Sequence, residues 1–267
     1  MKRITGIMML GLLAVSAMVS AETIVSTHAV YGEFVERIGG DAVKVVTIIP
    51  SGFCPSHYDL APSDLAAVLD ASVILYSGFE SWIETLADAT AGRAQLVQLG
   101  GSWSTPDAAV AKVEAILDLL VERMPAEADR FRANAATYLD EIGTLADELT
   151  ARAASVDTEE TSVVCMAWQV DFVSWLGFDI AVTYGIPEGL SLRDLVELAE
   201  AGRDAGAELV IDNLQSGIDF GAKLAREIGA IHVVLSNFPG AMPGSATVVD
   251  LFRRNADALF SAIEPIE

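Results

Sequence analysis

Within six residues the chain places a thiol, an imidazole and a carboxylate: Cys54, His57 and Asp59 of the stretch SGFCPSHYDLAPSD. Soft and borderline donors at such spacing are the chemistry of a metal site, or of another small-ligand site. The stretch follows an apolar run, Val43–Pro50, that reads as a buried strand. Loops at the carboxyl ends of strands are where open α/β sheets hold ligands. The competing reading is a surface turn closed by Pro55 and Pro62. The second cysteine, Cys165, is followed directly by Met166. Two cysteines are too few for a disulfide scaffold, and they either pair or stay free as ligands. Cys54 and His57 also suggest a thiol nucleophile and its base, but no nucleophile elbow, oxyanion motif or third orienting group accompanies them. Gly39-Gly40 closes a helix rather than cradling a phosphate. The expectation is a binding protein without catalytic residues, not an enzyme.

The elements that must position these groups alternate. Thr23–Thr27, Val43–Ile49, Val73–Tyr76 and Gln95–Leu99 read as strands. Between them lie helical patterns at Val30–Ile38, Leu65–Leu69 (capped by Ser63-Asp64) and Phe79–Ala87. This βαβα order implies a parallel sheet with crossover helices. It then stops. Pro106–Arg123 is helical, and Ala126–Ser155 carries apolar residues at spacings of three and four with one glycine and no proline. Thirty helical residues make a rod of about 45 Å, which reads as a spine joining two lobes. Alternation resumes with strands at Ser162–Met166, Ile180–Val182, Glu208–Ile211 and Ile231–Leu235, and helices at Gln169–Trp175, Leu192–Ala201, Phe220–Ile228 and Thr247–Ile263. The expected fold is α/β, two Rossmann-like lobes with parallel sheets joined by one long helix, with a ligand cleft between them. The expected divisions are a signal peptide at 1–21, lobes at 22–125 and 156–267, and the spine at 126–155.

The first 21 residues carry Lys2 and Arg3, an apolar run and a small-residue cleavage site at Val19-Ser20-Ala21, the pattern of a secretory signal. The protein is therefore expected to be exported, periplasmic or at the cell surface, with an uncleaved signal anchor as the alternative. Without Lys2 and Arg3 there remain 14 basic and 38 acidic side chains, a formal charge of −24. That excludes nucleic acid as a partner.

The order of these parts resembles the substrate-binding proteins of metal-type ABC importers, the zinc and manganese binders of cluster A-I. GGDAVKVVTIIPSG followed by HYDLAPSDL is similar to that family's strand and ligand loop. Asp70-Ala71 with YSGFESW, the pair Trp103 and Pro106, and Asn255 in FRRNADAL match further motifs in the right order. The resemblance implies capture of a transition-metal ion between the lobes and delivery to a membrane permease driven by a cytoplasmic ATPase. That family's site uses His, His, His or Glu, and Asp or Glu. A gap-free match puts Ser56, Gly101 and Met166 at the three first positions, and Ser236 or Asn237 at the last. Asn213 replaces a Glu after the strand at Glu208–Ile211.

If the lobes close as the resemblance implies, Cys54, His57, Cys165 and Met166 face one cleft, a soft set suited to Cu(I) or, through thiolate and imidazole, to Zn(II). Met166 is the expected donor of the adjacent pair, because neighbours on a strand point to opposite faces. Two alternatives stand beside this: a Cys54–Cys165 disulfide, or loss of the metal in favour of a small organic ligand held by Trp103, Trp168, Gln169 and Asn213. His28 is placed at the rim of the same cleft. Asp59 either orients His57 or caps the following helix, His232 is structural, and Trp82 is core.

Overall fold

The computed structural model describes residues 21–264, so the expected signal segment, apart from Ala21, lies outside the described residues. The first lobe contains strands β1 (Glu22–Ser26), β2 (Val43–Thr47), β3 (Val73–Tyr76) and β4 (Gln95–Gln98). Its helices are α1 (Ala29–Gly39), α2 (Pro62–Ala67), α3 (Ile83–Ala89) and α4 (Pro106–Arg123). Then comes α5 (Ala128–Ser155), 28 residues long, about 42 Å at the helical rise. The second lobe follows with β5 (Ser162–Met166), α6 (Val170–Trp175), β6 (Asp179–Tyr184), α7 (Leu192–Asp204), β7 (Leu209–Asn213), α8 (Asp219–Ile228), β8 (Ile231–Leu235) and α9 (Val248–Ile263).

Both sheets are parallel and share one plan, β2-β1-β3-β4 in the first lobe and β6-β5-β7-β8 in the second. The chain leaves the first strand of each lobe to one side and returns on the other. The carboxyl ends of β1 and β3, and of β5 and β7, are therefore topological switch points, where neighbouring loops part and leave a crevice. Strand side chains alternate: Ile24, Val73 and Leu75 face the α1, α4 and α5 layer, while Val25 and Ile74 pack over α2 and α3.

The spine belongs to both lobes because one apolar stripe serves both. Phe131, Ala135, Tyr138, Ile142, Leu145, Leu149 and Ala153 are buried in a single core that also holds Phe34 of α1 and Phe260 of α9. Its exposed flank is pinned at each end. Asn134 donates to the Ile38 carbonyl at 2.9 Å, and Arg152 pairs with Asp257 at 2.5 Å and Glu264 at 3.0 Å.

Two helix starts differ from expectation. The helix expected from Phe79 begins at Ile83, because Glu80 is used as a loop acceptor: its carboxylate takes Ser77 N–H at 3.1 Å and Gly78 N–H at 2.8 Å. Phe79 is thereby left in the loop. Near α2 the cap is not Ser63-Asp64. Pro62 opens the helix, and Asp64 reaches back to accept from Ala61 N–H at 2.8 Å. Trp82 packs against the outer face of the first sheet.

Candidate functional site

Loops at the carboxyl ends of both sheets meet face to face and enclose a cavity of about 60 Å³. From the first lobe it is lined by Cys54, Pro55 and Ser56 after β2, Phe79 after β3, and Trp103 after β4. From the second come Trp168 after β5, Asn213, Gln215 and Ser216 around the end of β7, and Asn237 and Phe238 after β8. Among the described residues no Asp, Glu, Lys, Arg or His side chain lines it. Four aromatic rings, three carboxamides, two hydroxyls, one thiol and the Pro55 ring make its surface.

The lobes touch around this cavity through defined contacts. The Trp103 indole N–H donates to the Asn237 carbonyl at 3.2 Å, and its ring stacks on Phe238 with centroids 5.8 Å apart. Phe79 meets Trp168 edge-on at 5.5 Å. Gln215 Nε2 donates to the Ser51 carbonyl at 3.0 Å and to Ser236 Oγ at 2.9 Å. The carboxamides are braced from behind: Gln169 Nε2 donates to Asn237 Oδ1 at 2.8 Å, and Asn237 N–H to Gln215 Oε1 at 3.1 Å. Asn255 of α9 clamps the Ser236 backbone with both amide atoms, accepting from its N–H at 3.1 Å and donating to its carbonyl at 2.8 Å.

Of the expected cleft residues, Ser56, Trp103, Trp168, Asn213 and Asn237 line the cavity. Gln169 and Ser236 sit one layer behind it as braces. His28 is not at a rim. It is 1 % exposed, packed under Trp103 at 4.6 Å and Phe238 at 5.3 Å, with Tyr31 at 4.2 Å. Neither of its ring nitrogens has a hydrogen-bond partner. Burial pushes the His28 imidazole down to about 4, against the attraction of Glu80. Burial also works to raise the Glu80 carboxyl, but hydrogen bonds from Thr27, Ser77 and Gly78 outweigh it and hold that carboxyl below its usual value.

The four soft donors expected to converge are kept apart, and the reason is strand geometry. Cys165 and Met166 do point to opposite faces of β5. Cys165 is in the core under α5 and α9, Met166 in the core under α7 and α8, both fully buried. Burial drives the Cys165 thiol far above its ordinary range, and the Met166 sulfur accepts the Trp168 N–H at 3.2 Å. Met166 therefore does not reach the cavity. His57 ends a single turn, Pro55–His57, whose exposed end carries it to solvent. Cys54 alone of the four lines the cavity. Both cysteines are free, so the disulfide alternative is not formed. Among the described residues no three His, Cys, Asp or Glu side chains stand together as a metal site. His232 is structural, donating or accepting with the buried Asp212 at 3.0 Å.

Phe79, Gln215, Ser216 and Phe238 were missed by reading for metal donors. Each lies within the first few residues after a strand, so position, not residue type, was the signal that could have found them.

A family model described as zinc-uptake complex component A, periplasmic, matches residues 24–262. The manganese-binding lipoprotein MntA of Halalkalibacterium halodurans is 25 % identical over 90 % of this chain and 88 % of its own length. The iron-binding protein YfeA of Yersinia pestis is 27 % identical over 53 % of this chain and 52 % of its own. The crystal structure of ZnuA superposes with a TM-score of 0.74 at 25 % identity, covering 90 % of this chain and 99 % of that one.

Proposed function

This chain belongs to the family of periplasmic zinc-uptake complex A components, solute-binding proteins of ABC importers and not enzymes, and we propose from that premise that it captures a small solute between its lobes and hands it to a membrane permease with its ATPase. The observation that carries this is the cavity shared by both lobes at the carboxyl ends of their sheets. A group enclosed there is sequestered on closure and released on opening, which is what delivery requires. Among the described residues no helix is long and apolar enough to cross a membrane, and export by an N-terminal signal, cleaved or kept as an anchor, remains part of the proposal.

Two readings of the cargo follow. The names of the relatives, manganese- and iron-binding, support a transition-metal ion. In this chain the soft set Cys54, His57, Cys165 and Met166 would hold zinc or copper only after His57 turned inward and the end of β5 unwound. A specific observation favours the second reading, a small uncharged organic molecule. The cavity offers ring faces and carboxamides but no ionisable partner except the Cys54 thiol. A bare dication there would forfeit its hydration without compensation, whereas an uncharged solute stacks and hydrogen-bonds.

The test is calorimetry on the metal-free full chain with Zn(II), Mn(II) and Cu(I), paired with mass spectrometry of small molecules released on denaturing the freshly purified protein. Stoichiometric metal uptake abolished by His57→Ala supports the ion. A stoichiometric organic molecule and no metal uptake support the second reading. Neither bound species in any sample overturns the proposal of a solute carrier.

A further inference from the structure

His28 stands out because it is buried between rings of both lobes with neither ring nitrogen hydrogen-bonded among the described residues. Its ring is covered by Trp103 from its own lobe and by Phe238 from the other, and both nitrogens are left without partners. A buried donor and acceptor left unmade cost free energy that solvation would recover. The cavity beside it is closed by Phe79 on Trp168, so the lobes must part to load or unload it. Parting carries Phe238 away with the second lobe, and water then reaches the imidazole.

We propose that His28 is a proton-operated release for the cargo cleft: a proton on its imidazole drives the lobes apart, and its loss lets them close. The geometry gives the sign. A charged imidazole cannot remain between Trp103 and Phe238 with no acceptor in reach, whereas in the open form it is hydrated. The charged and titratable groups facing it are few. Among the described residues Glu80 is the carboxylate that acts on it, and that carboxylate is already engaged by Thr27, Ser77 and Gly78. The Tyr31 phenol is held neutral by burial and donates to the Leu99 carbonyl. The second lobe presents only Phe238.

The size follows from linkage. With the closed form titrating at about 4 and an exposed histidine at about 6.5, acidification from pH 8 to pH 5 multiplies the open-to-closed ratio about thirtyfold. The effect begins as pH falls below about 6.5 and levels off below about 4. The proposal uses the reading that the lobes open to exchange cargo, but its test needs no cargo.

The experiment is small-angle scattering and tryptophan emission of the cargo-free full chain from pH 8 to pH 5, beside His28→Phe. The wild type is expected to expand and its emission to shift red as pH falls. His28→Phe should stay compact and blue-shifted throughout. If that variant does not fold, the His28 ring proton followed by NMR in the wild type serves instead, and its shift must track the expansion. No expansion of the wild type, or the same expansion in His28→Phe, overturns the proposal. Cargo binding measured by calorimetry at pH 8 is indifferent to that outcome, so failure of the proton switch and failure of the carrier reading are told apart.

Discussion

Replacing Asn255 by leucine should loosen the second-lobe wall of the cleft while keeping its shape. Asn255 is 3 % exposed, and its two amide atoms satisfy both backbone groups of Ser236, at 3.1 and 2.8 Å. Ser236 lies just past the end of β8, beyond the help of the sheet ladder. Leucine keeps the number and branching of the heavy atoms, is somewhat bulkier, excludes water and bonds to neither group. Two orphaned backbone groups cost about 1–3 kcal/mol each. The leucine methyls recover part of this, roughly 1–2 kcal/mol, through burial. A net loss centred on about 2–3 kcal/mol, at most about 5 kcal/mol, is expected, read as a lower urea midpoint at unchanged slope. Asn255→Asp separates the hydrogen bonds from the packing. It keeps the shape and the first bond but turns an acceptor toward the Ser236 carbonyl, so it should lose at least as much. The same substitutions should shift tryptophan emission red, because Trp103 is held by the Asn237 carbonyl and by Phe238. An unfolding free energy within about 0.5 kcal/mol of wild type for Asn255→Leu, the range of ordinary surface changes, would refute the account of the clamp.

Glu33 accepts from the Tyr138 hydroxyl of the spine and from Val248 N–H at the start of α9, and burial pushes its carboxyl up to about 7. The folded state therefore holds this proton where the unfolded chain has lost it, so stability should fall as pH rises from about 4.5 to about 7. Thermal melts across that window should show the slope flattened in Glu33→Gln, and an unchanged slope would sink the assignment. Thiol labelling offers a sharp check on the cysteines: in the native protein Cys54 should react and Cys165, fully buried, should not, with both reacting in denaturant. Equal native reactivity would mean that β5 does not hold Cys165 in the core.

The amino-acid sequence by itself determined the architecture. Short continuous apolar runs alternating with helical patterns, and the stripe Phe131, Ala135, Tyr138, Ile142, Leu145 and Leu149, are local patterns, and local patterns dictate strands, helices and the joining rod. The uninterrupted helical stretch 126–155 between two alternating halves gave the lobed plan, and the match of YSGFESW and FRRNADAL to the family motifs agreed with it. Trp103, Trp168, Asn213 and Asn237 line the cavity because each follows a strand whose carboxyl end opens onto it.

What the sequence could not determine was which donors meet. His57 is three residues from Cys54, yet one turn sends it to solvent; Met166 ends the right strand but on the face that packs under α7 and α8; His28, expected at a rim, lies beneath two rings from opposite lobes. The turn at Pro55–His57 and the packing of Met166 under α7 and α8 are settled within each lobe, whereas the closure of the two lobes over each other depends on contacts between residues more than a hundred positions apart, Trp103 with Asn237 and Gln215 with Ser51. Those contacts exist only once the spine has brought both sheets face to face, and they replaced an expected cluster of metal donors with a wall of rings and carboxamides.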